Sequence, residues 1–253
     1  MLVDSQAVHP HAGSPIGFST MTRSVDEDEH SIEMHLPYIH RLLQRQYPDR
    51  PTNEYPPLVP IMVGSTSAAT ERAFGSLLAP YLADPTNAFV ISSDFCHWGL
   101  RFHYTYYVPG APKPGPVLPL SSDALPQPGD DYGVEGVERK VAAVSLGKML
   151  QRRERTNDGP AIHESISSFD IATMAAITTG SAELFLRTIQ TTGNTVCGRH
   201  PIGVMMAALE EMAEKNDEVA EKGRFHFVRY ERSSDVVDVT DSSVSYVSAF
   251  AVL

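Results

Sequence analysis

Residues 87–99 read NAFVISSDFCHWG, and the architecture turns on how this stretch is taken. Phe89, Val90 and Ile91 form a short β-rich apolar run that stops at Ser92, Ser93 and Asp94, with Cys96 and His97 directly behind. An apolar strand that delivers polar side chains at its carboxyl end is how open α/β sheets build sites, because the crevice lies beyond the strand ends. Asp94 and His97 are therefore the first candidates for chemistry. The plain alternative is that Asp94 caps the next turn and His97 packs beside Trp98.

Upstream, residues 57–64 (PLVPIMVG) form a second apolar run, and residues 71–82 between the two carry Phe74, Leu77, Leu78 and Tyr81 at helical spacing. Strand, helix, strand is the βαβ unit, so the expected fold is α/β with a mostly parallel sheet sandwiched by helices. Residues 26–47 place Ile32, Leu36, Ile39 and Leu43 at helical spacing, with Pro37 tolerable only in a first turn or at a kink. Residues 1–25 show no period and read as an atypical N-terminus.

Downstream, the aromatic run HYTYY (103–107) reads as exposed, and residues 109–128 contain seven prolines. That density cannot support a ladder, so the segment reads as a weakly ordered loop within an insertion covering 108–160, with a helix over 137–155. Ile162, Ile166, Phe169 and Thr173 then mark one helix, and 181–190 a second capped by Ser181. Pro201 opens a third, with Ile202, Met205, Met206, Leu209 and Met212 inward. Two strands, 224–230 and 243–253, close a single domain of 253 residues.

Thirty-one acidic against 20 basic residues give a net charge of -11, the wrong sign for a general nucleic-acid binder. No apolar run of about 18 residues is present to span a membrane. The N-terminus lacks the basic and apolar regions of a secretory signal, so the protein reads as cytoplasmic. Two cysteines, Cys96 and Cys197, suit free thiols in a reducing compartment. Cys197 stands just before a helix start and is followed by Arg199 and His200, a setting that favours thiolate over thiol. The alternative is a small buried residue in a tight turn. His30 could line a pocket wall, although the histidines of 30–40 lack the i,i+4 spacing of a helical zinc motif. GxGxxG, P-loop and GxSxG patterns are absent.

Together, DEDEHSIEMHLPY, PIMVG, YLADPTNAFVISSDFCHWG, NTVCGRHPIG and DSSVSY resemble the Memo family, mediators of cell motility. The resemblance runs in order from about Asp26 to the end, apart from 108–160. It implies a fold similar to class III extradiol dioxygenases, with a pocket able to hold iron or copper. In that pocket Cys197 would be the metal ligand where the dioxygenases carry a carboxylate. His97 would stand at the acid/base position with Asp94 beside it, and His30, Arg199, His200 and Trp98 would form the surroundings.

Two further histidine ligands belong upstream in the family. Pro10, His11, Ala12 and Gly13 match four letters of one such motif, but Ser14 replaces its tyrosine and no counterpart of the other motif exists. The resemblance therefore implies a chain lacking its N-terminal third, with an incomplete ligand set and weak or no metal binding. Implied functions are motility and receptor tyrosine kinase signalling, with a phosphotyrosine-containing peptide or signalling proteins as partners, or redox regulation. The cytoplasm is the expected location, with the nucleus as a further option. The rival function is a metal-dependent oxygenase or redox enzyme on a small substrate, with His97 as acid/base.

Overall fold

In the computed structural model, residues 3–4, 17–130, 133–156, 158–216 and 223–253 are described. The helix α5 (Ile162–Thr178, numbered in chain order below) is the axis of the molecule, with thirteen of its seventeen residues buried. A helix apolar on nearly every side must be wrapped by other elements. Two of its polar positions are satisfied within the helix: the Ser167 hydroxyl donates to His163 O at 3.2 Å and that of Thr173 to Phe169 O at 2.8 Å. Ile162, Ile166 and Phe169 are buried as their spacing predicts.

The other helices are α1 (Arg23–Asp28), α2 (Leu36–Gln46), α3 (Ala68–Leu82), α4 (Gly133–Val144), α6 (Ala182–Thr192) and α7 (Arg199–Lys215). Pro37 lies in the first turn of α2, where its missing N–H costs nothing. Ser181 caps α6 by accepting the Leu184 N–H at 3.2 Å. The inward stripe of α7 is the expected one, Ile202, Met205, Met206 and Leu209. α3 turns a different face inward than its large residues suggest: Leu77 and Tyr81 are exposed, whereas Phe74, Gly75, Ala79 and Leu82 are buried. The reason is close packing on α7. A β-carbon on Gly75 would lie 2.8 Å from Ala208 N and 2.9 Å from Ala207 Cβ, so the two backbones meet across small residues. None of these helices is long and apolar enough to cross a membrane.

Nine short strands are described: β1 (Val3–Asp4), β2 (Ser19–Thr20), β3 (Ile61–Met62), β4 (His97–Gly99), β5 (Tyr106–Tyr107), β6 (Leu120–Ser121), β7 (Lys148–Met149), β8 (His226–Arg232) and β9 (Ser242–Phe250). The main sheet has the order β4-β9-β8-β6 and is antiparallel throughout. Parallel pairing among the described residues is confined to β1 with β3. The mostly parallel sheet expected from sequence is thus replaced by a mixed α/β arrangement. Residues 87–93 form no ladder, and Phe89 and Val90 are exposed, as are Leu58 and Val59 of the 57–64 run. Strand composition supplies the propensity, but a ladder also needs a neighbouring backbone.

The 108–160 segment is part of the core. Val108, Ala111, Leu120, Leu125, Val137, Val141, Val144 and Leu150 are all buried. β6 pairs with β8 through Leu120↔Tyr230, and β5 pairs with β7. The helix expected over 137–155 is α4, which ends at Val144 before the chain turns into β7. Tyr104, Tyr106 and Tyr107 are buried, not exposed, because each hydroxyl donates to a carbonyl: Thr192 O at 2.9 Å, Val144 O at 2.7 Å and Pro160 O at 2.9 Å. Glu164 accepts the Gly115 N–H at 2.6 Å and the Ala161 N–H at 2.7 Å, tying the proline-rich strip to the start of α5.

Leu125 shares a core cluster with Met174, Phe227 and Tyr230. Leu125→Ala is expected to cost about 2–5 kcal/mol, the range for a truncated core leucine. Urea unfolding followed by circular dichroism checks this; an unchanged midpoint would return the strip to the surface.

Candidate functional site

The site forms where residues 92–97 meet residues 194–199. The contact begins with the backbone: Cys197 N–H donates to Asp94 O at 3.3 Å, and Gly198 N–H donates to Ser93 Oγ at 3.0 Å. Only a glycine fits at 198, since a β-carbon there would stand 2.5 Å from Ser92 O. This approach brings the Asp94 N–H to 3.0 Å from Cys197 Sγ. The sulfur in turn lies 3.6 Å from Asp94 O, within reach of the thiol proton. Cys197 is exposed and unpaired, two residues ahead of α7.

His97 stands beside this pair. Its backbone is gripped by one hydroxyl: Thr195 Oγ1 accepts the His97 N–H at 2.7 Å and donates to His97 O at 3.0 Å. Its Nδ1 faces two carbonyl oxygens, Phe95 O at 3.0 Å and Thr195 O at 3.3 Å. Carbonyls can only accept, so the neutral ring carries its proton on Nδ1 and offers the Nε2 lone pair. Nε2 lies 3.7 Å from Asp94 Oδ2, with both side chains partly open to solvent. Phe102 packs edge-on against the imidazole, ring centroids 5.2 Å apart.

The structure places Asp94 against both Cys197 and His97. Other candidates fall elsewhere. Trp98, expected at the pocket, is fully buried in the core, its indole N–H donating to Tyr106 O at 2.8 Å, because β4 alternates and turns it inward. His30 is exposed and makes no hydrogen bond or ion pair with Asp94, His97 or Cys197. Arg199 is exposed in the first turn of α7. His200 is turned toward α3, where its Nδ1 lies 2.7 Å from Oε1 of the buried Glu71 and 3.1 Å from Thr66 Oγ1. Glu71 and Thr66 carried no sequence signal, since a lone glutamate in a first helical turn reads as solvated. His9 and His11 lie outside the described residues.

Beneath the site is Asp170, fully buried. Asn194 Nδ2 donates to its Oδ1 at 2.9 Å and the Tyr230 hydroxyl to its Oδ2 at 2.9 Å. Ser245 and the Cys96 backbone N–H also face it. Burial pushes its carboxyl up to about 6, partly offset by these donors. Burial, with the Asp170 carboxylate adding to it, also raises the Cys96 thiol well above its usual range, so Cys96 is an inert core thiol. Sequence reasoning missed Asp170, because one acid in an amphipathic pattern reads as a solvent-facing position.

Among the described residues no group of three or more His, Cys, Asp or Glu side chains converges as a metal cage. Cys197 and the Nε2 of His97 are competent donors, but two donors do not by themselves fit a closed iron or copper centre.

A profile described as Memo-like protein matches residues 2–250. The chain is 36% identical over 249 residues to a MEMO1 family protein of Schizosaccharomyces pombe, covering 98% of this chain and 67% of that relative. It is 35% identical over 236 residues to Protein MEMO1 of Xenopus tropicalis, covering 93% and 60%, and 34% identical over 231 residues to Protein MEMO1 of Homo sapiens, covering 91% and 58%. The chain therefore spans 58–67% of the length of these relatives.

Two outcomes follow from the geometry. A thiol reagent should titrate one cysteine per native chain, Cys197, and both in urea; two fast thiols in the native state would show that Cys96 is not enclosed. The second concerns Asp170, whose folded pKa of about 6 exceeds the free value of 3.8. Its contribution to stability is thus present in full below about pH 3.8 and is lost as pH rises through about 6. Between pH 4 and pH 7 the unfolding free energy of Asp170→Asn should gain on that of the parent by about 2–3 kcal/mol. Carboxyls held low elsewhere, such as Glu164 and Asp235, move both proteins alike and cancel.

Proposed function

This chain belongs to the Memo-like protein family, and on that premise we propose that it is a binding protein of signalling or redox regulation whose ligand is held at Cys197 and His97, rather than a ring-cleaving enzyme. The observation that carries the reading is the Asp94 N–H set 3.0 Å from Cys197 Sγ, with the His97 ring 3.7 Å from the same residue's carboxylate. A sulfur and an imidazole presented side by side at a half-open surface suit capture of a soft ligand. The family resemblance adds the finer content: a dioxygenase-like fold, iron or copper bound weakly at most by this chain's own residues, and a part in cell motility and receptor tyrosine kinase signalling. In that setting a phosphotyrosine-containing peptide is the proposed partner, with Arg199 as its charge partner at the rim.

Within this reading each residue has a separate task. The Asp94 backbone holds the Cys197 sulfur in place. Nε2 of His97 accepts a proton from a bound group while Nδ1 stays on its carbonyls, and the Asp94 carboxylate steadies the resulting imidazolium. The same free Nε2 favours the second reading, a metal-dependent oxygenase or redox enzyme with His97 as acid/base. A bound metal would supply Lewis acidity or electron transfer.

Calorimetry with iron(II), copper(I) and paired phosphorylated and unphosphorylated peptides, together with oxygen uptake on a panel of catechols, tests both readings. The binding function expects saturable uptake of metal or phosphopeptide that Cys197→Ser weakens at least about tenfold, with no oxygen consumption. Catechol-dependent oxygen uptake abolished by His97→Ala would overturn it in favour of the enzyme.

A further inference from the structure

The two segments that make the site meet through direct bonds and share a support beneath them. Their direct contacts are the Ser93, Asp94, Cys197 and Gly198 bonds on one side, partly open to solvent, and the half-buried Thr195 grip on His97 on the other. Below them, one group touches both segments. Asp170 takes the Cys96 backbone N–H, one residue before His97, and the Asn194 side-chain amide, one residue before Thr195. Its second oxygen is held by Tyr230 from β8, and Ser245 of β9 completes the ring while exchanging 2.9 Å and 2.8 Å backbone bonds with Cys96 and Phe95.

We infer that Asp170 is the positioning residue of the site, a buried carboxylate that fixes 94–97 against 194–197 and so sets the Asp94 N–H on the Cys197 sulfur and the Nδ1 proton of His97 on its carbonyls. The inference deepens the reading of Cys197 and His97 as the reactive pair and rests on it.

Three features support a positioning role over simple filling of the core. An apolar residue of similar size would fill the space without a desolvation cost, yet a carboxylate is kept there with every neighbour turned to donate. Asn194 turns its amide N–H groups to Asp170 at 2.9 Å and Thr173 Oγ1 at 3.3 Å and leaves its own Oδ1 buried without a partner among the described residues, so its orientation follows from these acceptors, the shorter bond being to the carboxylate. Both segments are held through the residue immediately before a site residue, which is where a small rotation is passed on with least loss. The other titratable groups facing Asp170 are Cys96, Tyr104 and Tyr230, all buried.

The test reads the site without any ligand. Iodoacetamide alkylation at neutral pH, resolved by peptide mass, gives the Cys197 rate, and Cys96 serves as an internal reporter of unfolding. Nitrogen NMR of the imidazoles gives the His97 tautomer. Asp170→Asn should slow Cys197 alkylation by about tenfold and shift His97 away from a pure Nδ1–H tautomer while Cys96 stays protected. Thr195→Val should give the same tautomer change, and the double variant should be no worse than either single one. An unchanged Cys197 rate and tautomer in Asp170→Asn, or labelling of Cys96 in step with Cys197, would overturn the inference. If Asp170→Asn does not fold, Asn194→Ala cuts the same link from the other end; it should lower the Cys197 rate with Cys96 still protected, and an unaltered rate there also overturns it. Failure of metal or peptide binding would leave these rates and tautomers untouched, so the two readings fail separately.

Discussion

A carboxylate with no access to water, Asp170 on the central helix, is the constraint around which the rest of the molecule is arranged. Ionised or not, it must be met by donors, and the chain meets it from four directions: Tyr230 of β8, Ser245 of β9, the Cys96 amide and Asn194. Each donor belongs to a different element, so satisfying one side chain fixes four pieces of backbone relative to α5. Such a network is costly if any member is lost, because the low dielectric that strengthens the bonds also penalises an unpaired partner.

The same economy recurs along the edges of the core. Three tyrosines that a hydropathy reading leaves in solvent are buried, since each hydroxyl reaches a carbonyl that a helix end or loop leaves open. Their rings then stack: Tyr104 and Tyr106 lie 6.1 Å apart, and both meet Phe169 edge-on. On the other side of the molecule α3 and α7 approach across Gly75, Ala207 and Ala208, and the room left by Gly203 receives the Glu71 carboxylate. That carboxylate bonds His200, so the start of α7 is anchored close to the loop that presents Cys197.

The helical part of the fold was legible because periodicity reports burial directly. Ile162, Ile166 and Phe169, the Ser181 cap and the Ile202 to Leu209 stripe all stand where spacing puts them. The sheet was less legible: residues 87–93 have strand composition but no partner among the described residues, whereas 97–99, with only Trp98 apolar, pairs with β9. Residues 108–160 misled for a related reason. Proline density forbids a ladder but not burial, and Leu120 and Leu125 sit between prolines and still reach the core.

For the candidate site, the sequence marked Asp94, His97 and Cys197 as candidates: a polar cluster after an apolar run, and a cysteine two residues before a helix. It could not reveal the supports. Asp170, Asn194, Thr195 and Glu71 are residue types common on surfaces, and nothing in their spacing distinguishes a buried acid from a solvated one. Only the tertiary structure decided that Asp170 is enclosed, that Trp98 turns inward and that His200 faces Glu71. Periodicity is a property of one segment, while hydrogen-bond satisfaction belongs to segments far apart in the chain that meet only on folding.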